Sequence, residues 1–297
     1  MAQNIWLTGS RGFVGTYTKE FLSSLGYNLT LISQSDGEFL EVLDFSKPKE
    51  INNLIKKVGL PETFIHLGWG NVYEPHHSIH ISENLEEGKN LINTLFKAGL
   101  KRFISVGSSS EYGDLQGSLE ESLILPEPSN NYIKGKTALC DFGNQMAEEY
   151  QSIFIHTRLY YAYGAGQKHN SLINQLFKSA EDGQDMDLSP CEHYRDYIYI
   201  EDVAQGLEKI CNVNKSGIIN LGAGEVIQLK DFVLKFWEML DSDPKKLNFG
   251  SHEVPESEQS QPKSYANLKR LKDLTGWTPQ TSIETGIEKT IALLQLQ

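Results

Sequence analysis

Cysteine is scarce in this chain. The three present, Cys140, Cys191 and Cys211, are odd in number and widely spaced. Neither a disulfide framework nor a CxxC metal knuckle can be assembled from them, so a reducing compartment is expected. Long apolar runs are lacking too, and none approaches the ~20 residues of a membrane-spanning helix. The start of the chain has no basic-then-apolar leader, because Met1 to Leu7 runs straight into a strand. A cytoplasmic location is expected, where the sequons at Asn28 and Asn214 carry no meaning. Positive charge is also short: the formal net charge is −12. That argues against nucleic acid, which needs a basic face. It does not exclude a small anionic ligand, since a local site can oppose the global charge. Low-complexity tracts, internal repeats and a GxSxG elbow are all absent. What remains is 297 residues, 39% hydrophobic, enough for one large domain or two modest ones.

The first half alternates strands and helices. Strands are expected at 4–8, 29–33, 39–43, 63–67, 102–107 and 153–158. Helices are expected at 14–25, 49–58, 82–98 and 132–150. Strands separated by helices predict a parallel sheet covered on both faces, an α/β architecture. After Gly164 the rhythm loosens. Helices are expected at 172–180, 203–211, 230–240 and 282–294, with strands near 186–188 and 218–221 and a polar loop over 252–264. This suggests a dinucleotide-type domain over 1–165, with return segments near 203–222, and a smaller mixed α/β domain over 166–297.

Between the first strand and the first helix stands Gly9-Ser10-Arg11-Gly12-Phe13-Val14-Gly15. A dinucleotide pyrophosphate needs a tight turn, a bare backbone and helix N–H groups aimed at it. The GxxGxxG spacing in this strand–loop–helix context supplies them. The second strand ends in Ser33-Gln34, with no acid to bond a ribose 2′-hydroxyl. Arg11 sits inside the loop, where a guanidinium can reach a 2′-phosphate. Both features favour NADP(H), with NAD(H) the alternative.

Tyr132 and Lys136 stand one helical turn apart on one face. A phenol near its ordinary pKa of ~10 is a poor base at neutral pH, and an adjacent ammonium is expected to lower it. Just upstream, a strand ends in Gly107-Ser108-Ser109-Ser110-Glu111-Tyr112-Gly113, at the sheet end where open α/β folds bind ligands. Serine hydroxyls there can donate to a carbonyl oxygen.

These motifs, with Ile65-His66-Leu67-Gly68, Asn84, the stretch 158–166 (RLYYAYGAG), Arg195 to Val203 (RDYIYIEDV), 220–224 and Gly276-Trp277-Thr278-Pro279, resemble the extended short-chain dehydrogenase/reductase family over nearly the whole chain. The likeness is to its NAD(P)-dependent epimerases, dehydratases and reductases of nucleotide sugars. The resemblance implies a Rossmann-type doubly wound sheet. It makes Tyr132 the acid/base, Lys136 the residue that holds the nicotinamide ribose, and Ser108 the bond to the reacting oxygen. Gly9, Arg11, Gly12, Phe13, Val14, Gly15, Ser33 and Leu67 would line the cofactor, and Asp44 would contact adenine. Arg195 would grip the nucleotide diphosphate, with Trp69, Ser109, Ser110 and Tyr161 nearby on the substrate side. A homodimer through the 82–98 and 132–150 helices is implied.

Two departures narrow the reaction. The 4,6-dehydratases carry an Asp-Glu pair where this chain has Ser109-Ser110, and GDP-fucose synthases have a cysteine at the Ser110 position. The family's sugar-binding asparagine is Tyr161 here. Simple hydride chemistry remains. The C-terminal stretch looks most like 4-ketoreductases of the CDP-abequose and CDP-paratose type, with an NAD-retaining 4-epimerase as the alternative. A non-catalytic nucleotide sensor is disfavoured because Tyr132 and Lys136 are both intact. His76, His77 and His80 do not make a metal site without further ligands. His80 is a candidate substrate contact, and His66 is expected in the core.

Overall fold

The computed structural model describes residues 3–254 and 262–296. In chain order its strands are β1 Asn4–Thr8, β2 Asn28–Ser33, β3 Glu41–Val42, β4 Thr63–His66, β5 Arg102–Val106, β6 Gly117–Leu119, β7 Ile153–Leu159 and β8 Tyr161–Tyr163. There follow β9 Met186–Leu188, β10 Tyr194–Arg195, β11 Tyr197–Tyr199, β12 Gly217–Leu221, β13 Ile227–Gln228, β14 Leu247–Phe249 and β15 Ser264–Ala266. The α-helices are α1 Phe13–Ser24, α2 Pro48–Val58, α3 Glu86–Lys97, α4 Asn131–Glu149, α5 Leu172–Glu181, α6 Ile200–Ile210, α7 Leu229–Met239, α8 Lys269–Thr275 and α9 Ile283–Leu294.

Seven strands form one sheet in the order β12-β7-β5-β4-β1-β2-β3, all parallel. The cause is visible in the side chains. Ile5, Leu7, Ile65, Ile104 and Ile155 are buried on one face. Trp6, Phe64, Phe103 and Phe154 are buried on the other. Strands apolar on both faces must be covered on both, which parallel strands with crossover helices achieve. On the aromatic face Phe64 stacks on Phe103 at 4.9 Å and Phe103 on Phe154 at 5.9 Å, and α2, α3 and α4 close over it. On the other face lie α1 and α6, and the same core continues into α7 through Phe232, Phe236 and Trp237. The chain order reverses between β1 and β4, so the crevice at their C-terminal ends is a topological switch point.

The return segment reaches the sheet as β12, and its outward margin is closed by side chains. The Asn220 amide donates to Glu121 Oε1 at 2.9 Å, and Arg270 Nη1 donates to the Ile218 carbonyl at 3.1 Å. Away from the sheet, short strands pair as β8–β11, β9–β14, β10–β13 and β6–β15.

Several expectations are corrected. The third strand shrinks to two residues, with Phe39 exposed at φ +58°. The helix expected over 82–98 begins as a π-helical turn, His80–Leu85, before α3. The helix expected at 203 begins at Ile200, where the buried Asp202 accepts the Gln280 and Thr281 amides at 3.1 and 2.8 Å. Of the polar loop expected over 252–264, residues 255–261 lie outside the described residues, and Ser264 already belongs to β15. No helix among the described residues is long and apolar enough to cross a membrane.

Candidate active site

Gly9 leaves β1 with φ +73°, a left-handed backbone open to glycine. A Cβ there would lie 2.7 Å from the Gly68 nitrogen and 2.8 Å from the Leu67 carbonyl carbon. At Gly15 a Cβ would run into the Gly9 carbonyl oxygen. The Gly12 amide donates to that carbonyl at 3.0 Å and closes the turn. Gly12 then begins α1, and no side chain caps the helix. A bare turn leading to uncapped amides on Phe13 and Val14 is an anion seat, and it fits a dinucleotide pyrophosphate.

Arg11 lies along the end of β2. Its Nη2 donates to Ser33 Oγ at 3.2 Å and Ser35 Oγ at 2.5 Å, and its Nη1 to the Asp36 carbonyl at 3.0 Å. Beside it opens a cleft of about 190 Å³, lined among others by Thr8, Ser33, Gln34, Trp69 and Asn84. Phe45 lines this cleft, whereas Asp44 does not. The Asp44 carboxylate pairs with Lys47 at 2.7 Å and accepts from the Ser46 amide and hydroxyl. Lys47, followed by Ser46, holds it down at about 2.

Tyr132 stands in the first turn of α4, which Asn130 caps by accepting the Ile133 amide at 3.0 Å. One turn on, the Lys136 ammonium donates to the Val106 carbonyl at 2.7 Å and lies 4.0 Å over the Trp69 ring. Its distance to the Tyr132 ring is 5.7 Å. Ser108 at the end of β5 bonds Tyr132 and caps the short helical turn Ser109–Tyr112, accepting the Ser110 amide at 3.1 Å. The expected lowering of the tyrosine does not occur. Burial pushes the phenol up to about 12, the Glu111 charge adds to it, and Ser108 only partly opposes them. Burial also pushes Lys136 down to about 7, against the pull of Glu111. A lysine lowered this far gives up its proton well before the phenol does, so it offers no charge to acidify its neighbour.

The loop after β4 is fastened to this helix. The Tyr132 amide donates to the Pro75 carbonyl at 2.8 Å. Trp69 Nε1 donates to His80 Nδ1 at 2.9 Å, so the His80 proton sits on Nε2 and is donated to the Glu74 carbonyl at 3.0 Å. His80 is fully buried. It packs edge-on against Tyr132 at 5.4 Å and so supports the site from behind. His66 is buried and meets Thr8 Oγ1 at 2.9 Å. His76 and His77 are exposed, whereas His80 is buried. Among the described residues no group of three or more His, Cys, Asp or Glu could hold a metal.

A second cleft of about 170 Å³ brings together Ser109, Ser110, Asn130, Tyr161, Arg195 and Asp196. Arg195 stacks 4.0 Å over the Tyr161 ring, an arrangement that keeps a guanidinium oriented. Asp196 accepts the Ala223, Gly224 and Ala266 amides at 2.6, 3.0 and 2.9 Å and so ties three segments together. Trp69 lies at the first cleft and not at this one.

Sequence reasoning missed Ser35 and the buried pair Glu111 and His156 beneath Ser108. The signal for Glu111 was the Ser-x-x-Glu spacing of a capping box, Ser108 to Glu111, which the structure forms.

The profile of the NAD dependent epimerase/dehydratase family matches residues 5–222. CDP-abequose synthase of Salmonella muenchen is 24% identical, over 98% of this chain and 98% of that protein. UDP-glucose 4-epimerase of Thermotoga maritima, solved with UDP-glucose, superposes with a TM-score of 0.85 at 20% identity, covering 99% of both chains. RMD of Pseudomonas aeruginosa, solved with NADPH, has a TM-score of 0.80 at 21% identity over 98% of both.

Proposed function

The chain belongs to the NAD dependent epimerase/dehydratase family, and we propose that within it the protein uses NADPH to reduce the 4-keto group of a nucleotide-linked 6-deoxy sugar. The observation that carries this reading is Arg11, laid across the end of β2 by Ser33 and Ser35 where a carboxylate would select NAD. The bare loop of Gly9, Gly12 and Gly15, the uncapped start of α1, and Arg11 with Ser33 and Ser35 would hold the dinucleotide, with Lys136 at its ribose. When bound, the cofactor supplies hydride to the carbonyl carbon.

The protein's own groups act on the oxygen. The Ser108 hydroxyl donates a hydrogen bond to it, and Tyr132 delivers the proton that completes the alcohol. A phenol is protonated at neutral pH and so can donate, while the burial that raises it makes it a poor base for the oxidation that opens an epimerase cycle. Ser109 and Ser110 carry no group able to serve as acid and base for eliminating water. Arg195, steadied on Tyr161, would grip the diphosphate with two N–H groups at once. The likeness to CDP-abequose synthase supports a reductase. On the same reading the protein is a homodimer through the outward faces of α3 and α4.

The test offers CDP-, UDP- and dTDP-linked 4-keto-6-deoxyhexoses with NADPH or NADH and follows loss of the reduced nicotinamide. NADPH should be consumed, NADH much more slowly. Arg11→Ala should weaken NADPH binding by about 10- to 100-fold, the size of a lost charged hydrogen bond. Tyr132→Phe should lower turnover by ~10²–10⁴ with cofactor affinity intact. Tightly held NAD released on denaturation, with no net consumption, would instead identify a 4-epimerase.

A further inference from the structure

Beneath the Ser108 turn lies a buried charged cluster that the reduction itself does not use. Glu111, His156 and Arg158 are 2%, 0% and 2% exposed. Glu111 Oε1 accepts the Ser108 amide at 2.9 Å and meets His156 Nε2 at 2.9 Å, while Oε2 accepts Arg158 Nε at 3.0 Å. The other histidine nitrogen meets Ser105 Oγ at 2.6 Å. The cluster closes only because residue 107 is glycine, since a Cβ there would strike both His156 and Glu111. Burying a carboxylate is costly unless partners compensate, and a packed apolar residue often serves stability as well.

We propose that Glu111 is a positioning residue of the Ser108–Tyr132–Lys136 site. Its carboxylate holds the serine backbone from below, and its charge is the buried counter-charge of Lys136. The inference rests on these three residues forming a site, but not on the identity of the reaction. The groups that face Lys136 are Tyr132 on its own helix, His66 from β4, His80 from the π-helical turn, the Trp69 ring, and Glu111 from the turn after β5. Burial holds His66 at about 3 and lowers His80, so both are neutral at pH 7. Glu111 remains ionised: burial works against it, but His156 and Arg158 outweigh that and hold it near about 2. It is thus the full charge that opposes the downward pull of burial on the lysine. The same charge raises Tyr132. One carboxylate therefore favours the proton-bearing form of both groups.

The experiment titrates isotope-labelled lysine by NMR in the protein without added substrate, with Lys136→Met assigning the Lys136 resonance. Glu111→Gln keeps an acceptor for the Ser108 amide but removes the charge, and should move the Lys136 midpoint down by about half a pH unit or more. Glu111→Asp, which retains the charge, should leave it near the wild-type value. If Glu111→Gln does not fold, the pair Glu111→Gln/Arg158→Gln removes both ions together and should still move the midpoint down, but by less, because the lost guanidinium partly offsets the lost carboxylate. A midpoint that stays put or rises overturns the proposal. No substrate is needed, so failure here leaves the reductase reading standing, and a failed reduction assay leaves this measurement intact.

Discussion

Trp69 is held by its indole N–H, which His80 accepts, and carries on its face the ammonium of Lys136. Cation–π contact favours the charged lysine, and the hydrogen bond fixes where that contact is made. The two roles are separable. Trp69→Phe keeps an aromatic face but leaves the buried His80 Nδ1 with only the longer approach of Asn84 Nδ2 at 3.3 Å. It should lower unfolding stability in urea by about 1–3 kcal/mol, the cost of an acceptor left short of its donor. If stability is unchanged, the Trp69–His80 bond has little weight. None of this was legible in the residues around Trp69, because which nitrogen of His80 carries the proton depends on the Glu74 carbonyl, reached only once the loop is folded.

At the level of elements, α4 is shaped by glycines. Gly88 on α3 admits the Leu139 side chain, and Gly143 lies against the Phe154 ring. Gly135, between Tyr132 and Lys136, has no room for a Cβ, which would lie 2.7 Å from the His80 carbonyl oxygen and 3.1 Å from Trp69. Alanine is worth about 1 kcal/mol more than glycine inside a helix, but overpacking costs about 1–3 kcal/mol. Gly135→Ala should therefore be neutral to destabilising in a thermal melt while lowering turnover sharply, because the helix can relieve the clash only by moving Tyr132 and Lys136. A variant that is both more stable and fully active would refute this. The helix itself was readable from its apolar spacing. The π-helical turn before α3 was not, since it is imposed by Asn84, which bonds Gly70 through both its amide nitrogen (3.0 Å) and its carbonyl oxygen (3.2 Å). The three-residue strands β6 and β15 were equally invisible, because each exists only by pairing with a partner far away in the chain.

Over the whole molecule, buried ionisable groups set how stability varies with pH. His66 is depressed to about 3, so its contribution is complete above its ordinary 6.5 and is lost as pH falls through 3. Glu111, held near about 2, adds a contribution present above its ordinary 4.5 and lost as pH falls toward 2. Asp196 runs the other way. Burial, against its three backbone donors, raises it to about 6, so its contribution is full below 3.8 and fades as pH rises through 6. Between about pH 6 and 5 the His66 loss and the Asp196 gain nearly offset each other, so the urea midpoint should hold there and fall only below about pH 4.5, where Glu111 joins the loss; in His66→Gln the midpoint should instead rise as pH falls from 6 to 5. A midpoint that rises in the wild type as pH falls from about 6 to 5 would show that His66 is free to protonate when folded. The central sheet was legible at this scale, because fully apolar runs at β1, β4, β5 and β7 leave few alternatives to a covered parallel arrangement. The small pairings after Gly164 were not, because their strands are too short to show a period.

The outer rim of β12, where Glu121 and Arg270 occupy the Asn220 amide and the Ile218 carbonyl, has a further consequence. At those two positions an incoming strand from another molecule finds its docking groups already taken, so growth of the sheet from that side is discouraged. Crowded solutions of this acidic protein are accordingly guarded against edge-to-edge pairing there by one buried carboxylate and one exposed guanidinium.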